Sequence, residues 1–143
     1  MPYRFIDTIA IADVAFEATG STLEELLLSA WDAALNTMIE NPGHIEMRLS
    51  RHIHIVQSQP DLLIHDFLQK LIFYKDAERL LLRVKTLTLG RRKNEYEIDA
   101  QVSGEPIDPS KHQLRIDVKA VTFHRLSVEE HESGWKATVV LDV

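Results

Sequence analysis

Two segments of helical periodicity, set in a chain that otherwise alternates between apolar and polar residues, limit the folds open to this sequence. The first segment opens with Ser-Thr-Leu-Glu at residues 21–24, which has the form of a capping box with Ser21 as the cap. Asn41, Pro42 and Gly43 predict its end at about Glu40. Its apolar stripe recurs at helical spacing through Leu23, Leu27, Ala30, Ala34 and Met38, widened by Leu26 and Trp31.

The second helical segment follows Pro60 and Asp61, and Asp61 is expected as its cap or as a carboxylate in its first turn. Its apolar face is unusually broad, which indicates a helix packed deeply against a sheet. The face consists of Leu63, Phe67, Leu71 and Tyr74, flanked by Ile64, Leu68 and Ile72.

The remaining segments alternate with period two and predict strands. Single strands are predicted over residues 45–55, 80–89, 95–102 and 135–143, and one or two strands over residues 114–128. Residues 104–113 are predicted to form a loop. This order predicts an α+β fold in which two helices pack on a mostly antiparallel sheet. The length of 143 residues fits a single domain over residues 1–143. Trp31 and Trp135 are expected to pack in the core or on the sheet.

Charge and composition exclude several classes of function. The net charge is −6, and the one dense basic run, residues 91–93, is expected to be a solvated hairpin tip, so direct tight binding of nucleic acid is disfavoured. A basic protein partner or a cation suits this surface better. The sequence has no cysteine and no run of about 20 apolar residues, and residues 1–7 do not resemble a secretory signal. We therefore expect a cytoplasmic protein that does not enter a membrane.

Four stretches, spread over nearly the whole chain, carry a family resemblance. They are Ile-Ala-Asp-Val-Ala-Phe at 11–16 with Gly20 and residues 22–25, the helix at 62–76, the segment 104–124, and the ending at 135–143. The most specific part is an Asp-Pro…His loop at 108–112, followed by Lys-Ala-Val-Thr-Phe-His at 119–124. In order and spacing these stretches resemble the archease family, small metal-binding proteins that activate RtcB-type RNA ligases.

The resemblance implies a metal site formed by the side chains of Asp13 and Asp142 with an oxygen of Val143. Such oxygen donors suit a divalent ion, with Ca²⁺ expected and Mg²⁺ or Mn²⁺ as alternatives. Three negative groups brought together repel one another unless a cation neutralises them or one is protonated. Residues 11–16, before Gly20, resemble the family's opening strand, and the site requires this strand to lie beside the last one. Read from the residues alone, Asp13 also fits a turn, and Asp142 also fits a solvated end of the chain.

A second candidate group, Lys119, Thr122 and His124, is expected to contact the partner ligase or its bound guanylate. Thr122 and His124 lie two residues apart and are predicted to share a strand face, from which Lys119 would point away. Ordinary residues on a solvated strand face are the alternative interpretation.

His52 and His54 also share a predicted strand face and could serve as two zinc ligands. A zinc site needs further ligands, and the sequence gives no reason to bring another donor near them. A solvated strand edge is therefore the favoured interpretation.

The family resemblance implies a protein cofactor, and not an enzyme, that promotes guanylylation and multiple turnover of an RtcB-type ligase in tRNA splicing. One departure affects this hypothesis. The family usually has a His-Thr pair before its opening Ala-Asp, and here Ala10 and Ile11 stand in those positions. The alternative is therefore a binding or chaperone-like module that has lost ligase activation. A small hydrolase that uses Asp13, Asp142 and a metal-bound water is a third alternative.

Overall fold

The computed structural model describes residues 2–6 and 13–143, and within them the chain alternates between strands and two α-helices. Ala10 and Ile11, where the sequence departs from the family pattern, lie outside the described residues. The strands are β1 (Tyr3–Ile6), β2 (Asp13–Gly20), β3 (Leu49–Gln57), β4 (Leu80–Arg92), β5 (Glu95–Pro106), β6 (Ala120–Val121), β7 (Ser127–His131) and β8 (Gly134–Asp142). The helices are α1 (Leu23–Met38) and α2 (Pro60–Glu78), with a 3₁₀ turn at Pro42–His44.

In this part of the chain the strands form two sheets, and every strand pair is antiparallel. The first sheet has the order β1-β2-β8-β6, and β7 also pairs with β8. The second sheet has the order β3-β5-β4. The α+β class and the antiparallel pairing predicted from the sequence are confirmed, whereas the division of the strands between two sheets was not predicted.

Helix α1 begins one residue later than predicted and ends earlier. The Thr22 hydroxyl, and not that of Ser21, accepts a hydrogen bond from the Glu25 N–H at 3.1 Å. The helix ends at Met38 because Ile39 is extended and forms a bridge with Leu114. Neither α1 nor α2, the helices of the described residues, is long and apolar enough to cross a membrane.

The core lies where both helices pack against strands of both sheets. Trp31 of α1 is fully buried, as predicted, and its indole N–H donates to the Leu82 carbonyl oxygen of β4 at 2.9 Å. Its ring centroid lies 4.8 Å from that of Phe67 in α2. Trp135 is half-buried and packs against the same core.

Three predicted strand boundaries were wrong, because a local turn and strand pairings that the period-two pattern does not reveal determine them. The strand predicted from residue 45 begins at Leu49, after a main-chain hydrogen bond from Ile45 to Pro42 closes the 3₁₀ turn. The loop predicted from residue 104 begins only after Pro106, since β5 continues beside β4. The region 114–128 contains only β6 and the start of β7.

Candidate metal centre

The β2–β8 register brings Asp13 directly opposite Asp142. In an antiparallel pair, opposed residues point to the same face of the sheet, and their Cβ atoms are about 4.5–5.5 Å apart. The next residues along, Val14 and Leu141, also oppose each other, and Leu141 is part of the buried core. Because side chains alternate along a strand, the two aspartates lie on the face turned away from that core.

The donor chemistry of this pair fits a hard divalent cation. Two carboxylates placed opposite each other repel and weaken strand pairing, and a cation between them removes that repulsion. Val143 follows Asp142 directly, and its side chain packs at the margin of the core, which keeps its backbone beside the aspartates. The three residues implied by the family resemblance therefore lie in one place.

Strand β6 brings the second predicted group, Lys119, Thr122 and His124, to the end of the first sheet where the two aspartates lie. Ala120 lies opposite Asp142, and the N–H of Lys119 donates to the Asp142 carbonyl oxygen at 2.8 Å. The N–H and the hydroxyl of Thr122 both donate to the Val140 carbonyl oxygen, at 3.0 and 3.1 Å. Lys119 and Thr122 thus border the aspartate pair.

Thr122 and His124 do not share a strand face, contrary to the prediction. Regular pairing of β6 ends at Val121, and residues 122–126 form a turn in which the His124 N–H donates to the Thr122 hydroxyl oxygen at 3.2 Å. Arg125 has a φ of 55°, in the left-handed region, which reverses the chain before β7. The short turn thus keeps His124 beside Thr122, with the His124 side chain exposed.

Residues 3–143 match the model of the archease protein family (MTH1598/TM1083). The chain belongs to the archease family. The archease of Methanosarcina barkeri is 31% identical over 142 residues, covering 99% of this chain and 95% of that protein. The archease of Pyrococcus abyssi is 30% identical over 133 residues, covering 92% of this chain and 93% of the relative.

Solved structures of similar proteins share the architecture. The solution structure of Methanobacterium thermoautotrophicum protein 1598 superposes with a TM-score of 0.84 at 28% identity, covering 99% of both chains. The crystal structure of an archease from Thermotoga maritima, described as a possible chaperone, has a TM-score of 0.63 at 19% identity and covers 96% of both chains. The second comparison supports the archease fold alone.

In this archease-family chain, helix α2 holds β6 through residues that the sequence reasoning did not single out. The side-chain oxygen of Gln69 accepts a hydrogen bond from the Val121 N–H at 3.1 Å. His65 Nε2 lies 3.0 Å from the Val121 carbonyl oxygen, which can only accept, so Nε2 carries the proton. His65 and Gln69 are four residues apart and therefore lie on one side of the helix. Their position beside the apolar face was the one feature of the sequence that could have indicated this contact with β6.

The His65 ring also supports the 122–126 turn. It stacks on Phe123 with a centroid separation of 4.1 Å and an interplanar angle of 14°. Phe123 nevertheless remains 64% exposed. The turn beside the aspartate pair therefore presents an aromatic side chain to solvent from a backbone that α2 holds in place.

The family-specific Asp-Pro…His loop is anchored through the buried carboxylate of Glu105. Glu105 is 2% exposed, and its carboxylate lies 2.8 Å from Lys111 Nζ and 3.0 Å from His112 Nε2. It also accepts a hydrogen bond from the Glu46 N–H at 2.9 Å. Burial alone raises the pKa of Glu105, but the hydrogen bonds from Lys111, Glu46 and His112 outweigh it and lower this pKa to about 2.

His112 has a structural position in this loop. Its Nδ1 accepts a hydrogen bond from the Asp108 N–H at 2.9 Å, so its Nε2 carries the proton that faces Glu105. Both ring nitrogens are therefore engaged inside the protein. The motif shapes the loop, and His112 is not presented to a ligand.

Proposed function

We propose that this archease-family member is a metal-binding protein cofactor that activates an RtcB-type RNA ligase in the cytoplasm. It would promote guanylylation of the ligase and so allow multiple rounds of tRNA ligation, without catalysing a reaction of its own. The observation that carries the proposal is the opposition of Asp13 and Asp142, with the β6 turn at the same edge. Like charges placed directly opposite each other destabilise a strand pair, and a bound cation would remove that cost.

Each residue near this edge has a proposed task. Asp13, Asp142 and an oxygen of Val143 would hold the ion, with Ca²⁺ favoured and Mg²⁺ or Mn²⁺ as alternatives, because all the donors are hard oxygens. When bound, the ion supplies positive charge that can balance the phosphates of a nucleotide. Lys119, Thr122 and His124 would contact the ligase or its bound guanylate, and the exposure of Lys119 and His124 supports that task.

The overall charge supports association with a basic partner. A net charge of −6 opposes binding to the phosphates of RNA but speeds encounter with a ligase whose nucleotide and RNA cleft is positively charged. Direct tight contact with RNA is therefore not part of the proposal.

Mutation of the aspartates tests the proposal. Asp13→Asn and Asp142→Asn keep the size of the side chains but remove the charges that hold a cation. We expect each variant to lose at least about tenfold in stimulated multiple-turnover ligation, since loss of a residue that only orients a metal ligand already costs about 10- to 100-fold in metal affinity or activity. The measurement adds each purified protein to an RtcB-type ligase and follows ligation and GTP-dependent guanylylation.

Glu17→Gln is the matched control, because Glu17 lies on the same face of β2 and pairs with the exposed side chains of Arg4 at 2.9 Å and Lys136 at 3.5 Å. It should stimulate the ligase as well as the native protein. Full activity in both aspartate variants would show that the metal mechanism is wrong. Suppression of client aggregation without ligase stimulation would favour the chaperone-like alternative, and phosphoester turnover by the isolated protein would favour a hydrolase.

A further inference from the structure

The solvent face of the second sheet carries two histidines and two acids around the β3–β5 pair. His52 and His54 are exposed, whereas Ile53 between them is buried. Asp99 of β5 lies directly opposite His54. Glu97 is two residues along the same strand and therefore points to the same face. The strand register thus places the carboxylates of Glu97 and Asp99 beside the histidines, which the sequence alone did not indicate.

The donor atoms of His54, Glu97 and Asp99 all lie within 4.8 Å of one another. His54 Nε2 is 2.8 Å from Glu97 Oε2, and His52 Nε2 is 3.0 Å from Asp99 Oδ1. In a tetrahedral zinc site with bonds of 2.0–2.1 Å, ligand atoms are about 3.4 Å apart. Each of these side chains is at least 39% exposed, so small rotamer adjustments suffice to reach that spacing.

We propose that His54, Glu97 and Asp99 form a second metal site, which binds a divalent transition-metal ion of the zinc class. An imidazole with two carboxylates suits Zn²⁺, whereas Ca²⁺ and Mg²⁺ prefer oxygen donors alone. Three protein ligands leave the fourth tetrahedral position for water. His52 is a positioning residue, because its hydrogen bond fixes the orientation of the Asp99 carboxylate.

An ordinary surface ion pair does not account for this arrangement equally well. His131 provides the comparison, since its Nε2 lies 3.3 Å from Glu129 Oε2 on an exposed strand, with a single carboxylate. At His54, by contrast, Glu97 is hydrogen-bonded to the imidazole and a second carboxylate, that of Asp99, has an oxygen within 4.8 Å of it. The negative charges of Glu97 and Asp99 beside this imidazole attract a metal ion.

Calorimetric titration of Zn²⁺ into the full chain tests the site. The protein carries Asp13→Asn and Asp142→Asn, so that binding at the first sheet does not contribute and the outcome is independent of the proposed ligase function. We expect one Zn²⁺ per chain and at least tenfold weaker binding in His54→Gln. His131→Gln, which removes a comparable exposed histidine, should leave the affinity unchanged.

Histidine side-chain NMR identifies the ligand directly. Zn²⁺ should shift the ring nitrogen resonances of His54 to values typical of a metal-bound imidazole, while the His52 ring keeps the signature of a free imidazole. His52→Gln should weaken binding by about tenfold through the loss of orientation. Absence of saturable Zn²⁺ binding, or equally strong binding by His54→Gln, would overturn the site. An unchanged affinity in His52→Gln would overturn the positioning role.

Discussion

At the scale of single residues, Glu105 connects parts of the chain that are far apart in sequence. Its carboxylate joins the end of β5 to the Glu46 backbone and to Lys111 and His112 of the following loop. Removing one partner of a buried charge pair leaves the others without compensation, which costs more than the pair contributes to stability. The loop therefore depends on this one ionised carboxyl group.

Glu105→Gln should lower the free energy of unfolding by about 3 kcal/mol. The neutral amide cannot balance the positive charge of Lys111, and its N–H groups would face the N–H donors that now bind the carboxylate. Denaturant unfolding measures the loss. Glu17→Gln is the control, since Glu17 pairs with two exposed cations at the surface, Arg4 and Lys136, and such pairs contribute about 1 kcal/mol or less each. Equal stabilities of the two variants would contradict the structural role of Glu105.

The pH dependence of that loss follows from the low pKa of Glu105. Its pKa falls from 4.5 to about 2 in the folded protein, so its stabilisation is fully present above pH 4.5 and disappears as the pH falls toward 2. The stability difference between the native protein and Glu105→Gln should therefore shrink between pH 5 and pH 2. Denaturant midpoints at intervals of pH measure it, and a constant difference would contradict the assignment.

At the scale of secondary-structure elements, the close approach of β4 and β5 requires glycine at position 104. A Cβ atom there would lie 1.8 Å from the Leu81 carbonyl oxygen, a backbone atom that cannot move aside alone. Gly90, in β4 of the same sheet, is the opposite case, since a Cβ there would meet nothing within 4 Å. The two positions form a matched pair within one sheet.

Gly104→Ala should destabilise the protein by about 1–3 kcal/mol or more, because the strands must separate to admit the methyl group. Gly90→Ala should be neutral or stabilise the protein by a few tenths of a kcal/mol, since alanine restricts the unfolded chain. Thermal unfolding of the two variants tests the comparison. A Gly104→Ala variant as stable as Gly90→Ala would mean that β4 and β5 are farther apart than described.

The sequence was sufficient to predict the elements that local patterns specify. It was not sufficient where contacts between residues distant in the chain determine the structure. The apolar stripes of α1 and α2 were sufficient to locate both helices. The bounds of strand β6, within the region predicted as one or two strands, were not predictable, because it is two residues long and depends on β8 and on Gln69 and His65 of α2. The buried contact between Glu105 and His112 was missed for the same reason, since it forms only once the loop has folded.

At the scale of the whole molecule, the candidate metal centre joins the second strand to the last. The sequence identified Asp13 and Asp142 through family resemblance but could not establish that their strands are neighbours. A register shift of one residue would have turned one aspartate toward the core and away from its partner. The β2–β8 pairing therefore determines both the fold and the site.

Metal binding across β2 and β8 should stabilise the folded protein as a whole, because unfolding separates the two aspartates. At a free Ca²⁺ concentration of 100 times Kd, linkage adds about 2.7 kcal/mol to the free energy of unfolding. For a chain of this size, that raises Tm by about 5–10 °C. Calorimetric scans over a range of Ca²⁺ concentrations measure the increase.

Asp142→Asn should abolish this increase, whereas Glu17→Gln should retain it. His54→Gln should also retain it, because an oxygen-seeking ion has little preference for the imidazole on the other sheet. An equal Ca²⁺-dependent rise of Tm in Asp142→Asn would show that the ion binds elsewhere. No rise in the native protein would remove the physical basis for a metal centre between the two strands, since a ligand that binds only the folded state must stabilise it.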